Sequence, residues 1–146
     1  MKYLKRFNES YSRKRCYFAH PMSIYNTEYE KEIIDSLSEK FDVLNPSDKK
    51  YQEDIKKYRE IYKTNYMKYF DDLVLECDVV AYLPFTDYKI GAGVYYEALK
   101  MFEKGGEVYE IDYETYEISK VDIDYIERNK LSIDETRERI KKPFRK

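Results

Sequence analysis

All four glycines of the chain fall between residues 91 and 106, and the first pair, Gly91 and Gly93, opens an apolar helical stretch that carries one carboxylate, Glu97. Glycines in such a place let backbone approach a ligand closely, and the helix behind them points its positive end the same way. Two readings of Glu97 stand side by side. It is one more solvated helix glutamate, or it is a carboxylate one turn into a helix that looks back toward a ligand. Val94, Ala98, Leu99, Met101 and Phe102 leave that helix only a narrow wet face, which brings the second reading level with the first. His20, the only histidine, closes an apolar run beside Pro21. It is either a satisfied structural residue or a contact to a phosphate or a base. One histidine and scattered carboxylates make no metal-ligand spacing, and neither a metal nor a cofactor is expected.

The elements that position these residues come from periodicity. "CYFAH", Cys16 to His20, reads as a buried strand ending in a loop at Pro21. Thr27 with Glu30 three residues on is a capping-box signature, and Ile33, Ile34, Leu37 and Phe41 at helical spacing predict a helix over about Glu28 to Lys40. "FDVLNPSD" gives a brief strand at Val43 and Leu44, broken by Asn45 and Pro46, with Ser47 or Asp48 to cap the next helix. Charged and amphipathic helices are expected over Lys49 to Lys63 and Tyr66 to Glu76. "DVVAYLP" is the clearest strand, continuous and apolar as a parallel strand covered on both faces must be. A helix from about Val94 to Lys104, a stop at Gly105 and Gly106, and a strand "EVYEI" complete the alternation. Past Asp112, "YETYEISKV" reads as a strand or hairpin, and Ser132 with Glu135 caps a last basic helix.

Strands alternating with helices predict an α/β fold: three layers, doubly wound, with a mainly parallel sheet of four or five strands of Rossmann-like or flavodoxin-like kind. Residues 1–146 form one domain in this reading, with 1–15 a polar leader and 113–146 a tail packed on the domain or on a neighbouring subunit. Ligands of open parallel sheets bind beyond the carboxyl ends of the strands, where strand order reverses. Three loops therefore share the crevice. They carry His20, Pro21 and Met22, then Asn45 and Pro46, then the loop with Asp87, Gly91 and Gly93.

Composition narrows the partner. Basic and acidic residues balance at 27 against 29, unlike a dedicated binder of polymeric nucleic acid, so a small molecule is expected. No signal-peptide core and no run of about 18 apolar residues occurs, and the expectation is a soluble, cytoplasmic protein without membrane contact. Cys16 and Cys77 lack CxxC spacing and read as packed, reduced thiols. The 18 tyrosines offer contact surface, and an oligomer is expected.

The order "YFAHPM", "VLNPSD", "YMKYFDDLVLECDVVAYLP" and "GAGVYYEALKMFEKGGEV" resembles the nucleoside 2-deoxyribosyltransferase superfamily, including its 2'-deoxynucleoside 5'-monophosphate N-glycosidase branch, over about Cys16 to Ile111. The resemblance implies a glutamate nucleophile at Glu97, with Gly93 four residues before it, oriented by a tyrosine at Tyr17. It also implies a homo-oligomer whose pocket is completed by a neighbour. The chain departs from that pattern in three places. His20 stands where a small residue is usual. Gly91 replaces the acid or serine six residues before the nucleophile, leaving Asp87 as a stand-in. Asp71 and Asp72 bracket the place of the helix aspartate one or two residues late.

The activity that the resemblance implies is cleavage or transfer at the N-glycosidic bond of a 2'-deoxynucleoside or its 5'-monophosphate. Glu97 would trap the anomeric carbon as a glycosyl ester while Asp87, Asp71, Asp72 or His20 assists the departing base. The rival is a nucleotide-binding module of the same fold that performs no chemistry, as a sensor or sponge would. The departures at the loop favour the rival, and the retained Tyr17 and Glu97 favour the enzyme.

Overall fold

The computed structural model describes residues 13–62 and 67–144. Of the polar leader only residues 13–15 are among them, and Lys63 and Tyr66, where two helices are expected to end and begin, lie outside them. Five strands form one sheet in the order β2-β1-β3-β4-β5, with β1 Arg15–Ala19, β2 Asp42–Leu44, β3 Val79–Tyr82, β4 Glu107–Ile111 and β5 Ile118–Val121. The first four run parallel, and β5 folds back antiparallel on β4. This is the flavodoxin-like order with an antiparallel edge, and its switch point lies between β1 and β3.

Alternation along β1 divides the core. Tyr17 and Ala19 join Val80, Tyr82 and Val108 on one face, under helices α3 (Met67–Leu75), α4 (Ala92–Lys104) and α5 (Ile123–Asn129). Cys16 and Phe18 join Val79, Ala81 and Ile111 on the other, under α1 (Glu28–Ser38) through Ile33 and Leu37. Helices on both faces make the expected three layers. They also explain why "CYFA" and "VVAY" are apolar without alternation, because every side chain there is covered. Burial pushes the Cys16 thiol up to about 12 and the Cys77 thiol up to about 11, as suits packed, protonated thiols.

Thr27 caps α1 by accepting the Glu30 N–H at 3.2 Å, a contact worth about 1 kcal/mol. Helix α4 begins at Ala92, two residues before its apolar periodicity. It ends at Gly105, whose φ of 90° only glycine adopts without strain. Gly106 is needed for space, since a Cβ there would lie 2.2 Å from the Met101 sulfur and 2.8 Å from the Asp78 carbonyl oxygen. The charged helix α2 is Lys49–Tyr62.

Beyond β4 the tail makes a hairpin into β5, then α5 and α6 (Ile133–Ile140), whose Ser132 and Glu135 form a complete capping box. The expected basic character belongs to the residues after it, since α6 itself holds Asp134, Glu135 and Glu138 against Arg137 and Arg139. Between α5 and α6 the chain pairs with the loop before α4. The Ile90 N–H donates to the Asn129 carbonyl and the Leu131 N–H to the Ile90 carbonyl, each at 2.8 Å.

Candidate functional site

Tyr17 and Glu97 meet at the switch point. Tyr17 lies mid-strand in β1 with its ring fully covered, and Glu97 lies one turn into α4, 9% exposed. The phenol donates a hydrogen bond to Glu97 Oε2. Geometry at this point has a local cause in the sequence. A continuous apolar β1 must be central in the sheet, and a helix entered through Gly91 can lie close enough for a side chain of its second turn to reach β1. Burial pushes the Glu97 carboxyl up to about 8, against the hydrogen bond from Tyr17 and with the help of the Asp71 charge. Tyr17 is itself held well above its usual range, by burial first and Glu97 second, so it remains a donor. A carboxyl that ionises near neutrality and is steered by one fixed donor suits nucleophilic or proton-transfer work.

The three aspartates fall in different settings. Asp71, on α3 beside α4, is half-buried, and its carboxyl is raised by burial, lowered by Lys100 and raised again by Asp72. It is the one whose charge reaches Glu97. Asp72 faces solvent and pairs with Lys68 at 3.3 Å, one turn away on the same helix. Asp87 accepts a hydrogen bond from the Arg139 guanidinium at 2.7 Å, which holds its carboxyl below the usual range, and its side chain is 47% exposed. A carboxylate tied to an arginine is a poor proton donor. The tail thereby occupies the loop residue that was expected to assist the base.

The expected ligand contacts also divide. His20 is 4% exposed. Its ring stacks on Phe18 with centroids 3.9 Å apart, Nδ1 lies 2.9 Å from the Phe18 carbonyl oxygen, and Nε2 lies 2.6 Å from Glu30 Oε2. Both ring nitrogens are spent inside the chain, so His20 holds the loop in place and offers no free ring nitrogen to a ligand. Glu30 also accepts from the Ser47 hydroxyl at 2.7 Å and the Asn26 N–H at 3.2 Å. Burial alone would raise this carboxyl, but the bonds from His20 and Ser47 outweigh it and hold it below the ordinary range. Asn45 is buried and its Oδ1 accepts from the Ser47 N–H at 3.1 Å; Pro46 is buried and its carbonyl accepts from Gln52 at 2.8 Å. Pro21 is buried at the start of a 3-10 turn, Met22–Ile24, and Met22 is 62% exposed.

At the glycine loop, Gly91 is covered by Thr136 and Phe85, and the Ala92 N–H donates to the Thr136 hydroxyl at 2.8 Å. The first free donor of α4 is therefore satisfied by the tail. Around Gly93 a Cβ would meet nothing within 4 Å, so this glycine borders open space. A cleft of about 240 Å³ lies against the same helix end, lined by Ala92, Tyr95, Tyr96 and residues 130–133 but not by Glu97.

Residue-by-residue reading missed Glu30 and Tyr25. Glu30 passed as the second half of a capping box, and Tyr25 was one of 18 tyrosines, though it lies in the loop after β1 already assigned to the crevice. Among the described residues there is no cluster of three metal-binding side chains and no helix long and apolar enough to cross a membrane. Comparison with known protein families, with curated proteins and with solved structures returns no match for this chain.

Proposed function

We propose that the protein cleaves or transfers the N-glycosidic bond of a 2'-deoxynucleoside or its 5'-monophosphate, with Glu97 as the nucleophile. The observation that carries this reading is the buried hydrogen bond from Tyr17 to Glu97 at the switch point of the sheet. The likeness of the four sequence motifs to nucleoside 2-deoxyribosyltransferases supports it independently. In the proposed step Glu97 Oε attacks the anomeric carbon. The bond from that carbon to the base nitrogen breaks and its electron pair leaves with the base. In hydrolysis, water then adds to the anomeric carbon of the ester, its hydroxyl stays on the sugar, and its proton ends on the base. In transfer, a second base takes the place of water. Only the ionised carboxyl attacks, so a carboxyl that titrates near 8 predicts a rate that rises with pH up to that value. Among the three aspartates, Asp71 is the one whose charge reaches Glu97 and raises its carboxyl.

A second reading, a nucleotide-binding module without turnover, is favoured by the hold of Arg139 on Asp87 and by the protonated state that burial gives Glu97 at neutral pH. One experiment separates them. The protein is incubated with a panel of 2'-deoxynucleosides and their 5'-monophosphates, with and without a second free base, and the products are resolved by chromatography. Free base alone indicates a hydrolase, and a new nucleoside indicates a transferase. Tight binding without product supports the module.

A further inference from the structure

The loop that leaves β1 carries two hydroxyls that the fold does not use. Ser23, in the 3-10 turn, has its Oγ buried, and it finds no hydrogen-bond partner among the described residues. Such a group carries its full desolvation cost, a cost that native folds rarely leave uncompensated away from functional places. Two residues on, the Tyr25 N–H closes the turn on the Met22 carbonyl at 3.1 Å. The Tyr25 ring tilts against the His20 imidazole with centroids 4.9 Å apart, and the side chain is half-buried. Its Oη makes no hydrogen bond among the described residues, although Glu97 and Glu30 both lie close enough for their charges to act on it. An unbonded phenol therefore stands on the loop that leaves β1, its ring against His20 and within range of the Glu97 charge.

Resting on the functional reading above, we propose that Tyr25, with Ser23 beside it, is the base-binding part of the site: the phenol donates a hydrogen bond to the departing base while Glu97 attacks the sugar. Charge decides which end of the substrate lies here. The charged Glu30 near the phenol repels a phosphate, whereas a neutral heterocycle with its own acceptors and donors pairs with both hydroxyls. Burial, then Glu97, then Glu30 hold the Tyr25 phenol well above its ordinary range, so it keeps its proton and can donate it in a hydrogen bond. The electron pair of the broken bond stays on the base, and the hydrogen bond from Tyr25 stabilises that charge until the base gains its proton from water.

The test is the single-turnover rate of wild type, Tyr25→Phe and Ser23→Ala on 2'-deoxynucleosides whose bases span a wide range of leaving-group acidity. Tyr25→Phe is expected to slow the poorest leaving base by about tenfold to a hundredfold and the best by less than about threefold, steepening the dependence on leaving group. Ser23→Ala is expected to weaken binding by about threefold to tenfold with little change in that dependence. Equal slowing of every base by Tyr25→Phe would overturn the inference and leave the Glu97 reading standing. Wild type that neither turns over nor binds any member of the panel would overturn both. If wild type binds without turnover, the affinity for free base decides: a loss of about tenfold in Tyr25→Phe supports the contact, and unchanged affinity overturns it. The melting temperature of Tyr25→Phe should match wild type, since its hydroxyl makes no internal bond, and a large fall would show the hydroxyl to be structural instead.

Discussion

Glu30 and Glu97 are both buried carboxyls on helices that come after strands of one sheet, at 5% and 9% exposure, yet the fold pushes them in opposite directions. Glu30 receives the His20 ring, the Ser47 hydroxyl and the Asn26 N–H, and stays charged. Glu97 receives one phenol and is held protonated up to about 8. Burial pushes both up, more so Glu97, and only Glu30 has enough donors to bring it back down. A carboxylate held by three donors is a fastener between α1, the loop after β1 and the loop after β2. One with a single donor remains available to a ligand.

The largest expected effect breaks the available member of the pair. Glu97→Gln keeps shape and an acceptor oxygen but cannot form an ester, so turnover should fall at least about a thousandfold, roughly 4 kcal/mol of barrier. Ligand affinity, read by calorimetry, should stay within about tenfold. Breaking the fastener acts on stability instead. Glu30→Ala strands the Nε2 of His20 and the Ser47 hydroxyl in the core, and should cost about 3 kcal/mol in denaturant unfolding.

A pH series sharpens the contrast. The folded chain keeps the Glu97 proton up to about 8, whereas the unfolded chain releases it near 4.5. Between these values the folded state binds more protons, so wild-type stability should fall as pH rises, by on the order of 5 kcal/mol, and Glu97→Gln should lack this slope. The smallest effect is expected at Asp87. Its pair with Arg139 is about half exposed, so Asp87→Asn should cost less than about 1 kcal/mol. Its rate should change by less than about threefold if the carboxylate is only an anchor for α6.

The sheet is legible in the sequence because its signals are local. "CYFA" and "VVAY" are apolar on both faces, Gly105 and Gly106 stop α4, and Ser132 with Glu135 builds the cap they promise. Glu97 is legible through the narrow wet face of its helix, and Tyr17 through the motif order. Legibility ends where one signature has two physical solutions. Thr27 and Glu30 fit a capping box, and Thr27 does accept the Glu30 N–H, but the Glu30 carboxylate turns instead to His20 and Ser47. Which solution wins depends on residues 10 positions before and 17 after Glu30, brought beside it by the sheet. The same holds for Asp87, taken by an arginine 52 residues later, and for the Ala92 N–H, taken by Thr136.

Glu97 is the residue that takes the sugar in the proposed step, and the adduct itself can be sought. Wild-type protein mixed with a 2'-deoxynucleoside turned over in the panel, quenched in acid within one turnover and digested for mass spectrometry should carry one deoxyribosyl unit on the peptide holding Glu97, and Glu97→Gln should carry none. Released base with an unmodified Glu97 peptide, or the same adduct on the glutamine variant, would contradict it.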